Sequence, residues 1–268
     1  MDFVARPPRH PALRGVVRTL WHCRNPGAVG RETALPSGTM QLLINVDGGP
    51  LHHFSSADST ERSCHTSVVV QGMHAHPYGL DRADQRSLVG VVFEPGAARV
   101  VLGVAMDAVA EDNVGLDVLL GGGSSERLLD LVRTQQGARM QLARVEDYLV
   151  QRVRDHGRAV DPTVTEALRR MQAGTTEVSA LADGLGLAAR RLRRRFLAEV
   201  GLPPKAMARV VRFQRAVEAL RGGQALTSVA QSCGYFDQAH LGHEFCALSG
   251  VSPGQYRRRM PPHRNHLA

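Results

Sequence analysis

The sequence predicts an α+β protein. An N-terminal β-rich, barrel-like domain with trailing helices precedes an all-α domain of two helix-turn-helix units joined by a long helix. Three observations predict it. Short β-rich runs divided by Gly/Pro turns fill residues 1–95, and apolar residues at helical spacing dominate the remainder of the chain. A short helix, a glycine turn and a second helix then occur twice in tandem. These patterns set domain limits of 1–157 for the first domain (β-rich 1–95, helical 96–157), 158–260 for the second, and a tail at 261–268.

In the first domain, Val16–Cys23, Met40–Val46, Ser67–Gln71 and Ser87–Phe93 are β-branched-rich runs of strand length. Asn25-Pro26-Gly27, Leu35-Pro36-Ser37-Gly38, Asp47-Gly48-Gly49-Pro50 and His76-Pro77-Tyr78-Gly79 punctuate them. Many short strands with such turns favour a small barrel or sandwich. After Glu94-Pro95-Gly96 the pattern changes to helix. Ala97–Val104 reads as a short helix and Gly121-Gly122-Gly123 as a flexible break. Ser124–Gln135 and Ala138–Arg154 come next as an amphipathic pair that buries Leu128, Leu131, Val132, Leu142, Val145 and Leu149. His156-Gly157-Arg158, ahead of Asp161-Pro162, is the expected linker.

The second domain carries the repeated pattern. In the unit at about 226–256, Val229 and Ala230 mark a first apolar face and Cys233-Gly234-Tyr235 a tight break. A second helix from about Asp237 buries Leu241 and Phe245 at i,i+4, and Gly250 ends it. Ser252-Pro253 starts another helix, serine as N-cap and proline at the first helical position, with Tyr256 folding back as an apolar anchor. In the unit at about 177–201, Val178–Ala182 leads to Gly184-Leu185-Gly186-Leu187 and then to a helix with Leu192 and Phe196 at i,i+4. Phe196 precedes Pro204 by the same interval as Phe245 precedes Pro253. A linker helix at about 204–221 repeats Met207, Val210, Val211, Phe213, Val217 and Leu220 at helical spacing.

Charge divides the chain at the same place. Residues 1–157 hold 16 arginines against 17 acids, a net of −1; residues 158–268 hold 17 cations against 8 acids, a net of +9, which together give the +8 of the whole chain. The basic excess lies entirely in the part with the helical repeat, as a phosphate-binding surface requires. Lys205 is the lone lysine, and arginine dominates the neutral half too, so that preference is largely compositional.

Other classes find little support. GxSxG, P-loop and Rossmann patterns are missing, so an enzyme is not expected. Gly121-Gly122-Gly123-Ser124 has no lysine nearby and reads as a linker rather than a phosphate cradle. The N-terminal MDFVARPPRH lacks the apolar core of a secretory signal, and no apolar run approaches the roughly 18 residues of a membrane span. Cys23, Cys64, Cys233 and Cys246 are scattered without a CxxC pair, which suits a reduced, cytoplasmic protein. Cys233 and Cys246 are expected as small core residues.

The segment from about Val164 to Arg259 resembles the DNA-binding domain of the AraC/XylS family of transcription regulators. The residues that carry the resemblance are Ala230, Cys233-Gly234-Tyr235, Phe245, Gly250, Ser252-Pro253 and Tyr256, and in the first unit Leu181-Ala182, Leu192, Phe196, Gly201 and Pro204. The N-terminal part resembles, more loosely, a sensor-like domain found before such DNA-binding domains. Leu35-Pro36-Ser37-Gly38 ahead of Met40–Ile44, and the run Val89–Ala98, carry that likeness. It implies a cupin-like β-barrel backed by helices that can dimerise.

The resemblance implies a double-stranded DNA operator as partner. By match to the family's base-contacting positions, Arg190, Arg193 and Arg194 of the first unit and Gln238, Ala239, Gly242 and His243 of the second face bases. Arg191, Arg195, Lys205, Arg212 and Arg257 are the phosphate candidates. Leu192, Phe196, Cys233, Gly234, Tyr235, Phe245, Gly250, Pro253 and Tyr256 form the structural signature. The sequence departs from the family in three places. His243 stands where arginine or lysine is usual, Ala188 where a capping serine is, and Pro203 replaces the Ser/Thr before Pro204. Histidine is only partly charged near neutrality, so the second unit should bind more weakly and the first should dominate sequence reading. Family habit favours activation through RNA polymerase over repression, in response to a small-molecule effector and with a homodimer as one arrangement; no cofactor is expected.

His52-His53, Cys64-His65 and His74-Ala75-His76 raise a metal question in the first domain. The HxH pattern is incomplete, because the nearest following acid is Asp81, across Pro77 and Gly79. His74 and His76 are therefore expected as ordinary pocket or surface histidines, with no metal. The alternative to a regulator is a cupin-like module for a small molecule or metal whose DNA-binding tail merely localises it.

Overall fold

The computed structural model describes residues 2–56 and 58–267. Its strands are β1 (Asp2–Arg6), β2 (Val17–Arg24), β3 (Arg31–Ala34), β4 (Gln41–Asn45), β5 (Leu51–Phe54), β6 (Arg62–His65), β7 (Val68–Gln71), β8 (Tyr78–Asp81), β9 (Ser87–Phe93), β10 (Asn113–Gly115) and β11 (His266–Leu267). Its helices are α1 (Ala98–Leu102), α2 (Leu116–Leu120), α3 (Ser124–Arg133), α4 (Ala138–His156), α5 (Pro162–Gln172), α6 (Val178–Gly184), α7 (Ala189–Val200), α8 (Pro204–Arg221), α9 (Leu226–Cys233), α10 (Gln238–Ser249) and α11 (Pro253–Arg259). The class is α+β: a β-rich part followed by a helical one.

Among the described residues the strands form two sheets, in the orders β1-β2-β9-β4-β7-β10 and β11-β3-β8-β5-β6. Alternation along the strands explains the layering. Leu20, Leu42, Ile44, Val68, Val70, Val89, Val91 and Phe93 share one buried cluster with Val100 and Val101 of α1, Leu128 and Val132 of α3, and Leu142, Val145 and Leu149 of α4. On the other face Leu43, Val69, Leu88 and Trp21 meet Leu51 of the second sheet. Gly90 is required there, since a Cβ would fall 2.1 Å from the Trp21 ring.

The expected barrel is an open pair of sheets whose edges no ladder joins among the described residues. The four strand runs read from the sequence are β2, β4, β7 and β9, all in the first sheet. The second sheet is hard to read from sequence because its strands are short and polar; register with partner strands holds them there rather than an apolar run. Two helical details also differ. Leu131 is exposed and Leu129 takes its place beside Leu128 and Val132. Gly121–Gly123 is a turn between α2 and α3, with Gly121 and Gly123 both at positive φ, rather than a free break.

The linker at 157–161 separates two regions in sequence but not in packing. One buried cluster runs from Leu13 through Val164, Leu168, Leu192, Phe196 and Val200 to Val211, so the first helix-turn-helix unit shares its core with the sheet domain. Buried Glu199 of α7 accepts from Arg99 of α1 at 2.7 Å and from Arg158 at 2.6 Å. The second unit has its own cluster, which takes in Leu35 and Leu267. Residues after α11 return to the first domain: β11 pairs with β3, and the Leu35 amide donates to the Asn265 carbonyl at 2.8 Å.

Candidate nucleic-acid interface

The two units turn in the same way. The Leu187 amide donates to the Ala182 carbonyl across the α6–α7 turn, and the Tyr235 amide donates to the Ala230 carbonyl across the α9–α10 turn, both at 2.9 Å. Glycines in the left-handed region, Gly201 (φ +86) and Gly250 (φ +73), close α7 and α10 alike. The repeated pattern thus becomes a repeated backbone.

In α7 the buried side is Leu192, Phe196, Glu199 and Val200. That placement leaves Arg190, Arg191, Arg193 and Arg194 exposed on the opposite face. Four guanidiniums on one three-turn surface suit phosphates and guanine edges. Arg195 is turned inward: its Nη1 donates to Asp161 Oδ2 at 2.7 Å and to the Thr163 hydroxyl at 3.2 Å. Ala188 supplies no side-chain cap to α7, nor Pro203 to α8.

In α10, Leu241, Phe245 and Leu248 face inward, and Phe245 packs against Phe213 and, edge-on, Tyr256, with centroids 4.9 and 5.6 Å away. Gln238, Ala239 and His243 are exposed on the other side, with Gly242 half-buried among them. Asp237 caps the helix by accepting the His240 amide at 2.7 Å. Ser252 and Gln255 form a full capping box on α11. Tyr256 is buried and donates its hydroxyl to the Arg264 carbonyl at 2.7 Å.

The linker helix α8 is riveted to α10 by charge. Arg209 grips the Glu244 carboxylate through Nε and Nη2 at 3.0 and 3.1 Å, and Arg212 adds a contact at 3.3 Å. Burial alone would raise the Glu244 carboxyl; the two guanidiniums outweigh it and hold it below the usual value. Arg212 also lies over the Tyr235 ring at 4.9 Å. Its charge is therefore largely engaged inside the domain. Lys205, at the start of α8, and Arg257, on α11, are exposed.

Cys233 is buried at the end of α9, but Cys246 is exposed, because on α10 it comes one residue after buried Phe245 and so lies on the solvent side. Sequence reasoning also passed over Phe236. It is 92% exposed in the turn before α10, beside Gln238. The signal was present as an aromatic directly after Cys233-Gly234-Tyr235, in a position with no core to enter.

In the first domain His74 and His76 do not converge: His74 is buried and stacks on Tyr78, whereas the His76 side chain is 72% exposed. Among the described residues no helix is long and apolar enough to cross a membrane.

Comparison with known proteins agrees with this geometry. Residues 181–259 match the family described as Helix-turn-helix domain, and residues 6–115 match a domain of unknown function (DUF6597). An AraC-like transcription regulator of Streptomyces lividans is 36% identical over 102 residues, 37% of this chain and 34% of that protein. The HTH-type transcriptional regulator MtrA of Neisseria gonorrhoeae is 38% identical over 69 residues, 25% of this chain and 23% of its own length. The chain thus matches about a third or less of each of these relatives. ToxT from Vibrio cholerae aligns over 96% of this chain and 98% of its own, at 9% identity and a TM-score of 0.48. The chain thus carries tandem helix-turn-helix units behind a domain of unknown function, and its helical part is similar to AraC-like transcription regulators.

Proposed function

We propose that the protein is a sequence-specific, effector-responsive regulator that lays α7 and α10 into successive major grooves of an operator. The observation that carries the reading is the face of α7: four arginines stand exposed over a buried Leu192–Phe196 seam. Arg190, Arg193 and Arg194 read bases, favouring guanine, and Arg191 meets phosphate. In α10, Gln238 reads adenine, Ala239 and Gly242 allow close approach, and His243 makes a weaker contact. Phe236 adds an apolar contact to a thymine methyl or a sugar. Lys205 and Arg257 hold the backbone.

Effector response is supported by the shared core between the sheet domain and the first unit. Any ligand or dimer contact that shifts α1 moves the Arg99–Glu199 pair and with it α7. Activation through RNA polymerase completes the proposal. Selection of bound sequences from a random DNA pool by the full chain tests it. Two G-rich boxes about ten base pairs apart are expected; failure to enrich any motif, with and without cell extract as a source of effector, would overturn specific recognition.

A further inference from the structure

A second constellation lies in the first domain, where the edge strands β6 and β10 approach each other. Thr66, just after β6, is so close to β10 that a Cβ on Gly115 would fall 3.1 Å from its Oγ1. In the β5–β6 ladder His53 is opposite Ser63, which makes His65 its diagonal neighbour on the same face. The two rings stack with centroids 4.8 Å apart, and His53 Nδ1 lies 2.7 Å from His65 Nε2. Asp112, immediately before β10, brings Oδ1 to 3.7 Å from His53 Nε2. One ligand atom from each of the three lies within 4.8 Å of the others. Behind them His74 stacks on Tyr78, and Tyr78 meets His53 edge-on. The buried His74 Nε2 and Tyr78 hydroxyl have no hydrogen-bond partner among the described residues.

We propose that His53, His65 and Asp112 form a binding site for a divalent transition-metal ion of the zinc type, with a fourth coordination position left open. Two imidazoles and a carboxylate are the donor set such ions take, whereas calcium and magnesium want oxygens throughout. Around a tetrahedral ion with bonds of about 2.0–2.2 Å, ligand atoms sit roughly 3.3 Å apart. His53 would offer one of its two nitrogens, and with one ligand atom from each residue within 4.8 Å of the others, the widest pair would close by up to about 1.5 Å, which a half-exposed carboxylate at a strand end allows. The ion would then staple the edge of one sheet to the edge of the other, where no ladder does so.

Titration of the chelator-stripped full chain with zinc chloride, followed by calorimetry, tests the site. Cobalt(II) absorption in parallel reports coordination geometry. One equivalent bound, tetrahedral cobalt bands and a zinc-dependent rise in Tm are expected. Asp112→Asn, an exposed change that leaves the fold intact by circular dichroism, should weaken binding by at least about tenfold. His53→Ala and His65→Ala should do the same, and Cys64→Ser on the same hairpin should not. Binding retained in the His53→Ala/His65→Ala double variant, or no stoichiometric binding by the unmodified chain, would overturn the site.

Discussion

Arg195 Nη1 stands 2.7 Å from Asp161 Oδ2, which ties the first recognition helix to the residue that caps α5. Asp161 thus has two tasks: it accepts the Thr163 amide at 2.8 Å and it holds an arginine that would otherwise face solvent. Asp161→Ala should cost about 1–2 kcal/mol, mostly from the lost cap. It should lower Tm by several degrees in a thermal melt and leave secondary structure unchanged. Arg195→Ala should cost less, since one partner of the pair is a third exposed.

The exposed face of α7 makes a sharper prediction about recognition. Arg193→Ala and Arg194→Ala should each reduce operator affinity by about 1–3 kcal/mol per lost bidentate contact, in fluorescence anisotropy at fixed salt. His243→Ala should cost well under 1 kcal/mol on the same assay. Equal losses in the two units would refute the dominance of the first.

Two glycines on or beside the recognition helices should respond in opposite directions. Gly242 lies inside α10, and no atom comes within 4 Å of the place its Cβ would take, so Gly242→Ala should stabilise by about 1 kcal/mol. Gly201 has φ +86, and a Cβ would meet the Met106 carbonyl at 2.8 Å. Gly201→Ala should therefore destabilise by at least about 1–2 kcal/mol and loosen the first unit from the sheet domain. Urea midpoints at constant m-value would separate the two.

Acid should loosen the second unit through Glu244. Its folded carboxyl titrates below the ordinary 4.5, so the unfolded chain takes up the proton first as pH falls. The stability this group contributes is complete above that ordinary value and is lost as pH drops through the depressed one. As pH falls below the ordinary 4.5 the native chain should lose more stability than Glu244→Gln, whose melt lacks this component. Parallel losses would mean that the Arg209–Glu244 grip contributes little.

Legibility in the sequence tracked how local each determinant was. The helical units could be read because Leu192 and Phe196, or Leu241 and Phe245, declare a buried seam by spacing alone, and Ser252-Pro253 declares a helix start. The strands β2, β4, β7 and β9 were legible as apolar runs for the same reason. His53 and His65 sit on β5 and β6, which only pairing with distant partners makes into strands, so their approach to Asp112 was invisible. The exposed face of α7 could be anticipated from its arginines, but the inward turn of Arg195 depends on Asp161, close in space and 34 residues away in sequence.

The strand β11 bears on the order in which the molecule can be assembled. His266 and Glu32, which meet at 2.7 Å beside that strand, are 234 residues apart along the chain. A ribosome delivers β3 early and β11 only after both helix-turn-helix units have emerged. During synthesis the outer edge of the second sheet therefore stays open, and the nascent domain waits for a strand made by the far side of the molecule. Chaperone engagement on that edge should persist until the segment around residue 266 is released, and a stall-release profile would show the first domain gaining protease resistance late rather than when its own residues are complete.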